Sequence, residues 1–85
     1  MSAKITDLST RFDEFISYLD PTRPTRIRDL SHDMGLRWVD ISELCAMAYT
    51  KGISLVNERE DGHRAIQVEP QSRKQVDAIA ERFLK

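Results

Sequence analysis

Four arginines lie close together along the chain, Arg23, Arg26, Arg28 and Arg37. Guanidinium groups clustered this way suit a row of phosphates. Binding of that kind is driven largely by the release of counterions from the polyanion. The plainer reading is a solvated face, in which Asp29 and Asp33 neutralise Arg26, Arg28 or Arg37 within helical reach. Asp40 and Glu43 follow. Such carboxylates accept from a cytosine amino group, or they answer the dipole at the start of a helix. Trp38 and Val39 stand just ahead of an apolar stripe, with Ala46 and Met47 extending an outer face. A tryptophan in that place suits a protein interface, a stacked base, or a lid folded back on the core.

Catalytic chemistry finds no foothold. Serine, histidine and aspartate occur, but no motif sets a nucleophile beside a base. His32, His63 and Cys45 lack zinc spacing, and three isolated glycines cannot cradle a phosphate. The expectation is no enzyme, no metal and no cofactor. A single cysteine excludes an internal disulfide, and its apolar neighbours point to a reduced, cytoplasmic protein. No apolar run approaches the roughly 20 residues of a membrane span, and no signal peptide is visible.

Eighty-five residues, 40% apolar and 32% charged, allow one domain (1–85) with one modest core. The net charge of −1 is unevenly spread. Lys51 and Arg59 against Asp40, Glu43, Glu58, Glu60 and Asp61 leave residues 38–62 at net −3, whereas residues 63–85 carry net +2.

The elements that position these residues follow from hydrophobic period. Ile5, Leu8, Phe12, Phe15, Ile16 and Leu19 recur at three and four, predicting a first helix that Asp20-Pro21 ends. Thr25 is the expected N-cap of a second helix carrying Ile27, Leu30 and Met34 inward. Gly35 stops it, Leu36 plugs the angle, and a third helix with Ile41, Leu44, Cys45 and Ala48 on one face ends at Gly52. From Ile53 the period falls to two. Asp61-Gly62 is the favoured centre of a type I′ turn, which sets Glu60 opposite His63, Arg59 opposite Arg64, Asn57 opposite Ile66 and Leu55 opposite Val68. Pro70 closes the hairpin. Ser72-x-x-Gln75 reads as a capping box for a last helix with Val76, Ile79, Ala80, Phe83 and Leu84 on its apolar stripe. That stripe packs on the first helix or on a second copy.

A helix-turn-helix running into a hairpin, with Leu30…Met34-Gly35-Leu36…Ile41…Leu44…Ala48…Lys51-Gly52-Ile53 and then Asp61-Gly62-His63-Arg64-Ala65-Ile66-Gln67-Val68, resembles the winged-helix superfamily. It is most similar to the DNA-binding part of the multiple-antibiotic-resistance type of bacterial regulator, over about residues 25–75. The resemblance implies an α+β winged helix-turn-helix. Its helices would lie at about 4–19, 25–34, 38–51 and 72–85, with a hairpin at 53–59 and 64–69. It implies that the third helix enters the major groove with Arg37, Trp38, Val39, Asp40, Ser42, Glu43 and Ala46, and that Arg64 on the wing reaches the minor groove. Arg23, Arg26 and Arg28 would face phosphates. The expected function is a small homodimeric transcription regulator that binds double-stranded DNA through Arg23, Arg26, Arg28, Arg37, Trp38, Val39, Ser42 and Arg64. The alternative is a protein-interaction module, phage-encoded or accessory, docking a partner through Trp38, Val39, Glu43, Ala46 and Met47.

Overall fold

The computed structural model describes residues 7–85. Asp7 opens the chain there: its carboxylate accepts from the Ser9 N–H and hydroxyl, capping one turn of 3-10 helix, Leu8–Arg11, that leads into α1, Phe12–Ser17. The first helix is therefore shorter than the 4–19 expected from its apolar period. Its Leu8, Phe12, Phe15, Ile16 and Leu19 do face the core, whereas Ile5 lies outside the described residues.

Residues 25–26 depart from expectation. Thr25 does not cap a helix: Thr25–Arg26 is a two-residue strand, β1, and the Thr25 hydroxyl accepts from the Asp20 N–H at 3.0 Å. The second helix, α2, spans Ile27–Met34 with Arg26 ahead of it and no side-chain cap. Gly35 then takes φ +65°, where a Cβ is disfavoured even though open space surrounds the position. The Leu36 N–H returns to the Ser31 carbonyl at 3.1 Å, which closes the helix and turns the chain. The third helix, α3, spans Trp38–Thr50 and ends the same way, with the Ile53 N–H on the Ala48 carbonyl at 2.9 Å. Ile27, Leu30 and Met34 of α2 and Ile41, Leu44 and Ala48 of α3 are buried against each other and against the sheet. Each large side chain removed from water in this way contributes about 1.5–3 kcal/mol.

Strands β2, Leu55–Glu60, and β3, His63–Val68, pair in the register read from the sequence, with Glu60 opposite His63 and Leu55 opposite Val68. Asp61 and Gly62 both have positive φ, 52° and 81°, as a type I′ turn needs. The sheet has three antiparallel strands in the order β1-β3-β2, because Thr25 and Arg26 pair with Ile66 and Ala65 on the far side of β3. Leu55, Ile66 and Val68 turn inward to the helices.

After a 3-10 turn at Pro70–Ser72, α4 runs over Arg73–Leu84 and packs on α1, where Arg82 reaches Asp13 at 3.4 Å. The capping box does not form. Ser72 is buried and its hydroxyl accepts from the Ser54 N–H at 2.8 Å, while the Gln75 amide donates to the Lys51 carbonyl at 2.9 Å. Both side chains thus satisfy the backbone of the connector between α3 and β2. A buried N–H left without such a partner costs about 1–3 kcal/mol, which is reason enough for the preference. Val76 is buried, Ile79 and Ala80 are half-buried, and Phe83 and Leu84 at the far end stay exposed. The architecture is α+β, with four helices and one small antiparallel sheet. Among the described residues no helix is long and apolar enough to cross a membrane.

Candidate functional site

The outer face of α3 and the adjoining β2–β3 hairpin hold most of the residues singled out by sequence. Trp38 is 47% exposed and Val39 53% exposed. Ser42, Glu43 and Ala46 are exposed beyond them, so Trp38 is not a lid sealed on the core. Met47 does not belong to this face: it is half-buried and packs against the core. Tyr49 does belong, at 63% exposure, with its hydroxyl donating to the Leu55 carbonyl at 2.7 Å and so tying α3 to the edge strand. Its spacing from Ser42 and Ala46, four and then three, already set it on that side of the helix.

The arginines divide into two groups. The Arg26 guanidinium meets the Asp61 carboxylate at the hairpin tip at 2.8 Å, and Arg23 stands 3.9 Å from Glu60. Arg37 donates to Asp40 from its guanidinium at 3.3 Å and from its backbone N–H at 3.1 Å. These bonds hold the Asp40 carboxyl below its usual range and keep the first turn of α3 capped. Three of the expected phosphate ligands are therefore engaged by acidic partners. For Arg23 and Arg26 those partners come from the hairpin and not from Asp29 or Asp33.

Arg28 and Arg64 are exposed and make no ion pair among the described residues. Together with Trp38 and His63 they line a cleft of about 300 Å³. The first turn of α2, the first residue of α3 and the first two residues of β3 meet there. Arg64 also borders two further depressions. One, of about 270 Å³, includes Ser42, Cys45, Ala46, Tyr49 and Asn57; the other, of about 500 Å³, lies along Asn57, Glu58 and Arg59. Arg59 stands directly opposite Arg64 in the hairpin and donates to the Gly62 carbonyl at 2.9 Å. Like charges in facing positions of a hairpin repel each other, and an anion bound over them relieves that cost.

His63, Arg59 and Tyr49 were not among the sequence-expected site residues. The register drawn from Asp61-Gly62 already contained the Arg59–Arg64 pairing. His63 carried no signal of its own, because its place beside Trp38 depends on how the hairpin leans on α3.

Cys45 is half-buried, and burial pushes its thiol up from 9.0 to about 11. The thiol therefore stays protonated at neutral pH. Alkylation of native protein by a maleimide is expected to run at least about tenfold slower than in denaturant, since the thiolate is the reacting species. Because burial penalises the thiolate, stability is unaffected below pH 9.0, where both states are protonated, and falls as pH rises from 9.0 to about 11, where only the unfolded chain ionises. Equal rates in the two states would show the thiol to be freely ionising.

Among the described residues no group of three or more His, Cys, Asp or Glu side chains is placed to hold a metal. Comparison of the chain with protein-family models, with curated proteins and with solved structures returns no match.

Proposed function

We propose that the domain is a winged helix that binds duplex DNA as a small transcription regulator. In this reading α3 enters the major groove, the β2–β3 hairpin is the wing, and Arg28 and Arg64 hold phosphates on either side of Trp38. The support is architectural and electrostatic. Helices α2 and α3 meet at the Gly35 turn, α3 keeps its outer face open, and the hairpin stands beside it. The observation that carries the reading is the pair of guanidiniums, Arg28 and Arg64, that have no ion-pair partner among the described residues and line one cleft at the start of α3.

Net charge matters less than this local arrangement. Asp61, Glu60 and Asp40 stand against Arg26, Arg23 and Arg37, so the residues left to set the local field are Arg28, Arg59 and Arg64 against Asp29, Glu43 and Glu58. Counterion release then predicts a log–log salt slope of about −2 to −3 for two or three neutralised phosphates, well below that of a strongly basic binder. The test is fluorescence anisotropy with labelled duplexes, including the gene's own upstream region, at low and rising salt. Saturable binding with that slope supports the reading. No shift at micromolar protein and low salt, on any duplex, overturns it.

A second reading, docking of a protein partner, is favoured by one observation: Trp38, Val39 and Tyr49 are large, exposed and on the same helix as Glu43. A protein-docking domain would give no salt-dependent duplex binding, and Trp38→Ser would weaken its self-association in analytical ultracentrifugation.

A further inference from the structure

We infer that the cleft lined by Arg28, Trp38, His63 and Arg64 is a subsite for one unpaired nucleotide. The heteroaromatic base lies against Trp38 and the phosphate sits between Arg28 and Arg64. This deepens the DNA reading and rests on it only for the source of the nucleotide.

Contact with a continuous duplex gives Trp38 only base edges and backbone to touch. Paired bases are stacked on one another and present only their edges in the grooves, so an indole face finds no ring to cover. An unpaired base offers its whole π-face, and base–aromatic stacking is the usual way single strands are held. Trp38 is 47% exposed at the wall of a cleft rather than on an open convex surface. The cleft, at about 300 Å³, is at the small end of ligand sites, the size for one ring with its phosphate and too small for a base pair.

The charges agree with that occupant. Arg28 and Arg64 are the cations of the cleft, and both lack ion-pair partners among the described residues. His63 adds a ring nitrogen able to bond a phosphate or a base edge. Two of the carboxylates near this corner are occupied, Asp61 by Arg26 at 2.8 Å and Asp40 by Arg37 at 3.3 Å, and none of the acids lines the cleft itself. Two planar guanidiniums and one indole, with no free acid among the four lining residues, select an aromatic anion over a bare phosphate or a neutral ring.

The chain has one tryptophan, so its fluorescence reports the cleft directly. The experiment titrates the 85-residue protein with dAMP, deoxyribose 5-phosphate and inorganic phosphate, exciting where tyrosine does not absorb. In parallel, anisotropy compares a blunt hairpin oligonucleotide with one carrying a single-stranded overhang. Saturable quenching by dAMP is expected, at about tenfold lower concentration than any effect of the two base-free phosphates. Arg28→Gln and Arg64→Gln should each weaken it. In isothermal titration calorimetry, used because these variants lack the fluorophore, Trp38→Phe should retain the preference for dAMP over deoxyribose phosphate, and Trp38→Ala should lose it.

Tighter binding of the overhang than of the blunt hairpin identifies a strand end or melted segment as the source; equal binding of the two, with saturable quenching by dAMP, identifies a free nucleotide. Equal affinity for dAMP and phosphate, or a preference that survives in Trp38→Ala, overturns the inference. So does the absence of saturable quenching. Binding of blunt duplex with no response to dAMP sinks this subsite and leaves the DNA reading standing. Binding of dAMP without any duplex sinks the DNA reading and leaves the subsite.

Discussion

Replacing Arg28 and Arg64 together by glutamine is expected to weaken duplex binding about a hundredfold at low salt, with no change in the circular dichroism spectrum. Each side chain is exposed, and neither has an ion-pair partner among the described residues, so its removal leaves no buried charge behind. Removing one phosphate ligand costs about tenfold in affinity, and the two effects should add if both side chains meet the same backbone. The log–log salt slope should also fall by about two, which is the sharper readout because it reports how many phosphates are neutralised. Arg26→Gln is the control. Its guanidinium is held by Asp61 at 2.8 Å, so its loss frees a carboxylate at the hairpin tip instead of removing a phosphate ligand. Affinity in that variant should drop because of the new negative charge, while the salt slope should hold. If Arg28→Gln/Arg64→Gln binds DNA as the parent does, the two free guanidiniums are ordinary surface charge. The groove-docking reading then has no electrostatic basis.

Phe15→Ala is expected to come close to unfolding the domain. Phe15 is 0% exposed, beside Phe12 with ring centroids 6.3 Å apart, on the helix that α4 covers. Truncating a buried phenylalanine costs about 3–5 kcal/mol, the transfer free energy of the missing ring plus the cavity left behind. A chain of this size has little to spare, since small domains lie at the low end of the range of about 5–15 kcal/mol of total stability. A urea titration followed by circular dichroism should show the midpoint fall by about 2 M or more, at a slope of roughly 1–2 kcal/mol/M. A fall of less than about 0.5 M would mean that α1 and α4 are not part of the same cooperative core. Tyr18→Ala makes the contrast: at 41% exposure on the end of the same helix it should shift the midpoint little.

The hairpin register was legible to the residue. Two positive-φ positions at Asp61-Gly62 leave a two-residue loop no other pairing, and a slip by one would have put Ile66 and Val68 in water. The inward faces of α2 and α3 were legible for the same kind of reason, because an apolar period of about 3.6 residues marks one side of a rod whatever it packs on. Strand β1 was not. Two residues hold no period, and their partners Ile66 and Ala65 lie in a distant part of the chain. The capping box misled because Ser72 and Gln75 can satisfy any nearby backbone group, and the unpaired ones turned out to be Ser54 and Lys51.

The amino-acid order determined the succession of the four helices and the hairpin, the two glycine turns, the hairpin pairing and the inward sides of α2 and α3. All of these are set by neighbours within a turn or a loop. It could also point to the arginines as a group. Only tertiary structure decided which of them are free. The ion pair that removes Arg26 spans 35 residues, and the cleft around Trp38 draws on residues 28, 38, 63 and 64. Charge pairing falls off steeply with distance through solvent, so a contact of 2.8 Å and one just out of reach are different chemistries. Separation along the chain carries no information about which of the two will form.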